Sequence, residues 1–190
     1  MDTTTLGDIV RLDLNNLNNY MFDTTAYNKV AEYKATDLPI LKNSLKLGYR
    51  YYTTYLQYRE LAGMRVNKTN DGYDDRSEKV GYKQNDFKEI QEELSIERLA
   101  HQASFYYRAW SLDGSCFLPI ENSDEIKLFQ SILNNNTNHF EDANIAASAM
   151  TWRCMLVTAD GRQFKETKKL FPNNVILYSD LINKLTNGGK

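Results

Sequence analysis

The stretch DFKEIQEELSIERLAHQASFYYRAWSLDG, residues 86–114, decides how the chain is read. Asp86 stands as an N-cap with Glu89 three residues on, the arrangement of a capping box, and Gly114 stands where a helix C-cap glycine belongs. No Gly or Pro interrupts the run between them. At about 100° per residue, Phe87, Ile90, Leu94, His101, Phe105, Ala109 and Leu112 form one apolar stripe. Ile96, Leu99, Ala103, Tyr106, Tyr107 and Trp110 form a second, nearly opposite. The spacing predicts one long helix, ~40 Å at a rise of ~1.5 Å per residue, buried on two sides and serving as the spine of a bundle.

Working outward, Asp37-Leu38-Pro39 opens a second helix that runs to about Arg65, with proline in the first turn where its missing N–H costs nothing. Leu41, Leu45, Tyr52 and Leu56 lie on one side of it, Ile40, Leu47, Tyr51, Tyr55 and Tyr58 on the other. A short helix from Ser123 points Ile126, Phe129, Ile132 and Leu133 inward, and Asn138 with Glu141 caps another to about Met150. The period then changes to two. Trp152, Cys154 and Leu156 alternate with Arg153, Met155 and Val157, and Asp160-Gly161 supplies a tight turn before Gln163–Thr167, which predicts a β-hairpin. Val175–Leu185 reads as a final short helix. Residues 1–36 read as an N-terminal arm of uncertain structure, since Leu6, Val10, Leu14, Leu17 and Met21 fit a helix while Val10, Leu12 and Leu14 alternate like a strand. The expected fold is mainly α: a helical bundle around one long central helix (37–150), then a small C-terminal β-hairpin and short helix (151–190).

Composition sets bounds on function. The chain has 190 residues, enough for one domain with a core that needs no disulfide or metal. A net charge of −2 gives no global pull toward nucleic acid or anionic membrane. Cys116 and Cys154 lie far apart without metal-type partners, as in a reducing compartment. Met1-Asp2-Thr3-Thr4-Thr5 has neither the basic flank nor the apolar run of a signal peptide, and no stretch approaches the ~20 apolar residues of a membrane span. Frequent asparagine and 13 tyrosines fit an AT-rich coding sequence, as in many phages and low-GC bacteria.

Four places invite a chemical reading. The loop Asn67–Glu78 has oxygen-bearing side chains at positions one, three, five and nine, glycine at six and glutamate at twelve, the spacing of an EF-hand calcium loop. Asn67 replaces the usual aspartate and Asp74 takes an apolar position, so a solvated turn between helices is the expectation. Asp113-Gly114-Ser115-Cys116-Phe117 resembles the segment around the nucleophile of OTU-type cysteine proteases, and more loosely the Gly-Ser-Cys of papain-like ones. The resemblance implies a thiolate with a histidine base. Cys116 follows a helix rather than opening one, and only His139, oriented by Asp142 or Asn144, could serve it, so Cys116 reads as structural. His101 sits on an apolar stripe without the Glu-x-x-His spacing of di-metal bundles, and no metal or other cofactor is expected. Arg153, Arg162, Lys165, Lys168 and Lys169 form a basic patch on and beyond the hairpin, which reads first as a protected or partner-binding edge and second as a nucleic-acid contact.

What remains is apolar surface on two long helices beyond what one small core consumes. Tyr51, Tyr52, Tyr55, Tyr58, Tyr106, Tyr107 and Trp110 are the interface candidates, because a phenol or indole is apolar on its body and polar at its tip. The expectation is therefore a non-enzymatic structural or assembly subunit of a homo-oligomer. A bacteriophage virion component (neck, head–tail connector or tail protein), made in the host cytoplasm, leads, with other structural proteins as partners. The alternative is a small phage-type regulatory or host-interaction protein that binds protein or nucleic acid through the basic hairpin.

Overall fold

The structure is a computed structural model that describes residues 18–61, 64–66, 73–75, 86–99, 101–102, 116–117, 124–135 and 140–188. Five strands, β1 (Asn19–Phe22), β2 (Arg50–Thr54), β3 (Glu97–Leu99), β4 (Met155–Thr158) and β5 (Val175–Leu177), form an all-parallel sheet in the order β3-β2-β1-β4-β5. The helices are α1 (Thr24–Glu32), α2 (Lys34–Leu45), α3 (Tyr55–Leu61), α4 (86–93), α5 (Asp124–Asn135), α6 (Phe140–Thr151), α7 (Gly161–Leu170) and α8 (Tyr178–Asn187). This is an α/β fold, and it replaces the expected helical bundle. Parallel strands need crossover connections, and helices supply them here: α1 and α2 between β1 and β2, α5 and α6 before β4, α7 before β5.

Both faces of the sheet are covered. On one, Tyr20, Phe22, Tyr51 and Val157 pack with Ala26, Tyr27 and Val30 of α1, Leu38 and Leu41 of α2, Ile90 of α4 and Leu181 of α8. On the other, Met21, Tyr52, Leu99 and Leu156 pack with Leu128 and Ile132 of α5 and with Ala143, Ala146 and Ala147 of α6. A strand buried on both faces reads as a continuous apolar run rather than an alternation. Tyr20, Met21 and Phe22 are 0–1% exposed.

The expected spine breaks after its second turn. Helix α4 ends at residue 93, and Ser95 takes a left-handed φ of 49°. The Ser95 N–H then reaches the Glu92 carbonyl at 3.2 Å and the Ile96 N–H the Gln91 carbonyl at 2.9 Å, the two bonds of a Schellman stop. Glu97–Leu99 continues as β3. Arg153 (φ 51°) ends α6 in the same way: its N–H bonds the Met150 carbonyl and the Cys154 N–H the Ala149 carbonyl. Gly48 (φ 85°) ends α2 likewise. Each of the three stops turns a helix into a strand of the sheet. Only one of them carries the glycine that announces such a stop in sequence.

The expected hairpin is also replaced. Met155–Thr158 is a strand, but Asp160 caps α7, accepting the N–H groups of Arg162 at 2.6 Å and Gln163 at 3.3 Å, and the supposed return strand is helical. Asp-Gly suits a hairpin turn and a helix start alike. The buried Gln163 and Thr167, four residues apart, follow the helical period. The expected helix Leu38–Arg65 divides at Gly48 into α2 and β2. The segment Val175–Leu177, assigned to the last helix, is the edge strand β5. Residues 19–36 of the expected arm supply the central strand, α1 and the start of α2, while residues 1–17 lie outside the described residues. Among the described residues no helix is long and apolar enough to cross a membrane.

Candidate functional site

The strand order β3-β2-β1-β4-β5 makes the chain turn back between β1 and β4. In an open parallel sheet, the crevice beyond the carboxyl ends at such a switch point is where ligands bind. Register places one polar row there. Tyr20, Met21 and Phe22 pair with Met155, Leu156 and Val157, so Asp23 stands level with Thr158. On the other side Met21 pairs with Tyr52, which sets Asp23 level with Thr54. By pleat alternation Asp23, Thr54 and Thr158 share the face of Met21, Tyr52 and Leu156, toward α6. All three are fully buried.

Asp23 is the N-cap of α1. Its Oδ1 accepts the Ala26 N–H at 2.7 Å, and the Thr25 hydroxyl donates to Oδ1 at 2.8 Å and Oδ2 at 3.0 Å. The Thr25 oxygen in turn accepts the Ala159 N–H at 2.9 Å, which ties the end of β1 to the end of β4. Burial pushes the Asp23 carboxyl up to about 7, against the pull of Thr158, Ala26 and Thr25, and Asp142 adds like-charge repulsion. Thr158 accepts the Asp160 N–H at 2.9 Å and donates to Gln163 Oε1 at 3.2 Å, and Gln163 Nε2 donates to the Asp142 carbonyl at 3.2 Å. Asp142 lies in the first turn of α6. One buried carboxylate, Asp23, thus sits in a polar network that Asp142 joins through its backbone carbonyl and Asp160 through its backbone N–H, while the Asp160 carboxylate caps α7.

The neighbouring junction is built alike. Thr54 accepts the Gln57 N–H at 3.0 Å at the start of α3, and the Thr53 hydroxyl donates to Gln57 Oε1 at 2.8 Å. Helix α3 packs on α1 and α6 and carries Glu60. A helix cap alone does not call for Asp at position 23, because Ser, Thr or Asn caps as well without an ionisable group. A buried carboxylate whose pKa is displaced chiefly by burial, at the switch point of a parallel sheet, is instead a mark of a candidate functional site. Among the described residues no group of three or more His, Cys, Asp or Glu side chains is placed to hold a metal ion.

The residues singled out from sequence lie elsewhere. Tyr51 and Tyr52 are buried on opposite faces of β2, so they build the core rather than an interface. Tyr55 is exposed at the start of α3, and Tyr58 carries the Arg98 guanidinium 3.5 Å from its ring centroid. Tyr106, Tyr107, Trp110 and His139 lie outside the described residues. The backbone pairs His101 with Cys116 in a short parallel ladder, so Cys116 is in a strand. Tyr73–Asp75 pairs antiparallel with Met64–Val66, so the Asn67–Glu78 segment includes a strand in place of the interhelical turn expected; the rest of it lies outside the described residues. The basic patch is not a ribbon. Arg153 precedes β4 at the amino end of the sheet, whereas Arg162, Lys165, Lys168 and Lys169 run down the exposed side of α7, with Arg162 and Lys165 nearer Asp160. Lys169 pairs with Glu166 at 2.8 Å.

Sequence reasoning passed over Asp23, Thr25, Thr54, Thr158, Asp160 and Gln163, and took Asp142 only as an orienting group. The signal was two short apolar runs, each closed by an acidic cap: Tyr20-Met21-Phe22-Asp23 and Leu156-Val157-Thr158-Ala159-Asp160. No protein family, curated sequence or solved structure matches the chain, so this geometry is the only guide to what the site does.

Proposed function

We propose that the chain is a divalent-cation-dependent hydrolase of phosphodiesters, with nucleic acid as its substrate class. The observation that carries the reading is the fully buried, ionisable Asp23 at the switch point of the sheet, with Asp142 and Asp160 in the starting segments of α6 and α7 at the same end. Magnesium keeps most of its waters and is held by one or two carboxylates together with substrate phosphate, so a preassembled protein cage is not required. A cation there would polarise the phosphoryl group and offset the charge it brings to an acidic site.

The chain's own residues supply the surroundings. Thr25 and the Ala26 N–H hold the Asp23 carboxylate in one orientation, and Gln163 ties Thr158 to the start of α6. Helices α1, α3 and α7 all begin at this end of the sheet, where their N-terminal dipoles favour anions. Arg162 and Lys165, exposed in the first turns of α7, are placed for flanking phosphates. In the reaction water attacks phosphorus, the bond from phosphorus to the leaving sugar oxygen breaks, and that oxygen gains a proton.

The assembly reading drew on spare apolar surface along two long helices. The sheet uses the described part of that surface, and what the fold leaves unexplained is the buried carboxylate of Asp23, which favours an enzyme. The test is cleavage of a fluorescent single-stranded oligonucleotide in Mn2+ against the same reaction in EDTA. Expected is turnover in Mn2+ alone, reduced at least 100-fold by Asp160→Asn with the fold intact by circular dichroism. Wild-type protein inert toward both RNA and DNA in Mn2+ and Mg2+ overturns the reading.

A further inference from the structure

The same end of the sheet opens, on the face away from Asp23, into a cleft of about 590 Å3 between α1, the start of α2 and α8. Ala159 and Gly161 form part of its wall, so Asp160 lies in the segment that separates the cleft from the polar row. Ala159, Leu177 and Ile182 give it an apolar lining. Tyr33 stands beside it 47% exposed, and the Lys29 ammonium lies 5.3 Å from the centroid of its ring. Glu32 holds the same ammonium at 2.7 Å, so ring and cation stand together at the end of α1 beside the cleft. The opposite wall is fixed: the Tyr178 hydroxyl donates to Asp37 Oδ2 at 2.7 Å, which ties α8 to α2. Asn183 adds a carboxamide, a donor and acceptor side by side.

A volume of this size suits one small ligand rather than a peptide or helix. A mainly apolar cleft, an exposed phenol ring and a carboxamide together fit a nucleobase, which stacks on an aromatic face and offers a donor–acceptor edge. We infer that the cleft between α1 and α8 is a nucleotide-binding subsite that takes a base flanking the phosphodiester presented to the acidic row. This rests on the phosphodiesterase reading for its link to Asp160, but base binding itself is measurable without turnover.

The experiment is equilibrium binding in EDTA, followed by amide chemical-shift changes, with adenosine 5′-monophosphate, adenosine and ribose 5-phosphate as probes. Both adenine compounds are expected to saturate the site and ribose 5-phosphate to shift nothing at the same concentrations. Tyr33→Ala is expected to weaken adenosine 5′-monophosphate binding about tenfold or more, and Ile182→Trp, which fills the cleft, to abolish it. Asp160→Asn is expected to bind as wild type does. Tyr33 is exposed, so its truncation leaves the core untouched even where Ile182→Trp strains the packing. The inference is overturned if adenine compounds do not bind, if ribose 5-phosphate binds as well as adenosine 5′-monophosphate, or if binding survives both Tyr33→Ala and Ile182→Trp. Failure of cleavage by the wild type, with adenine binding intact, would remove the phosphodiesterase reading and leave the subsite standing.

Discussion

Asp23 and Thr158 close adjacent parallel strands at the same level, and the Thr25 hydroxyl lies between them, 2.8 Å from Asp23 Oδ1 and 3.3 Å from Thr158 Oγ1. The point where the sheet reverses its winding is thereby stapled by side chains, with an ionisable group at its centre. A structural staple alone would be served by a neutral residue.

The charge at Asp23 gives the first expectation. Its pKa is raised in the folded protein to about 7, while the unfolded chain has an ordinary carboxylate near 3.8. Between those values the native state holds more protons than the unfolded one, so stability falls as pH rises through this window and is level outside it. Relative to Asp23→Asn, which keeps the cap, wild type should lose roughly 3 kcal/mol between pH 4 and pH 7. Urea melts of both proteins at pH 4, 5.5 and 7.5 check this, and parallel curves would show that Asp23 does not titrate in the window.

Ser95 and Arg153 give a second. Both hold left-handed backbone as helix stops, so Ser95→Gly and Arg153→Gly should each stabilise by roughly 0.5–1 kcal/mol. A continuous helix through residue 95 demands the opposite sign, since glycine inside a helix costs about 1 kcal/mol. Denaturant midpoints of the two variants decide between the folds.

This pair also explains what the sequence made legible. The helices read from acidic residues at their starts are present, at 86–93 with Asp86 and at Asp124–Asn135 with Asp124 and Glu125 in the first turn, because a negative charge near a helix start is a local electrostatic signal. The stop at Ser95 was missed because serine has no particular preference for left-handed backbone, whereas the end of α6, expected at about Met150 from the change of period, falls at Thr151. Phe87, Ile90 and Leu94 were correctly placed as inward. Continued past the stop, the same period counted Leu99 as helical although it is buried in a strand. Tyr51 and Tyr52 were read as interface because tyrosine suits half-wet surfaces, yet the Tyr51 hydroxyl meets Ser44 Oγ at 2.6 Å inside the core. The acidic site was hidden for a different reason. Asp23, Asp142 and Asp160 are distant in sequence, and only the order of the strands brings them to one end.

Cys154 should be inert in the native state. It is fully buried on the α6 side of the sheet, and burial pushes its thiol up to about 12. In a Cys116→Ser background a disulfide reagent at pH 8 should react only as fast as the protein unfolds, with the rate accelerating in urea. Prompt stoichiometric labelling would mean that the thiol is open to solvent.

The charges of α7 should separate by position. Arg162→Glu with Lys165→Glu should leave stability within about 0.5 kcal/mol, because both side chains are exposed, while weakening oligonucleotide binding and flattening its salt dependence. Lys168→Glu with Lys169→Glu, toward the far end of the helix, should affect binding less. Fluorescence anisotropy across a salt series measures both pairs, and equal losses would make the basic strip one undirected patch.

The most direct measurement is calorimetric titration of the metal-free protein with Mn2+ at pH 8, with Asp142→Asn and Asp160→Asn alongside it. The expected result is one saturable site in the wild type, weakened about 10–100-fold by either substitution while thermal melts show both variants folded. Absence of saturable binding in the wild type, or equal affinity in all three proteins, would contradict the assignment of the acidic row as a cation site.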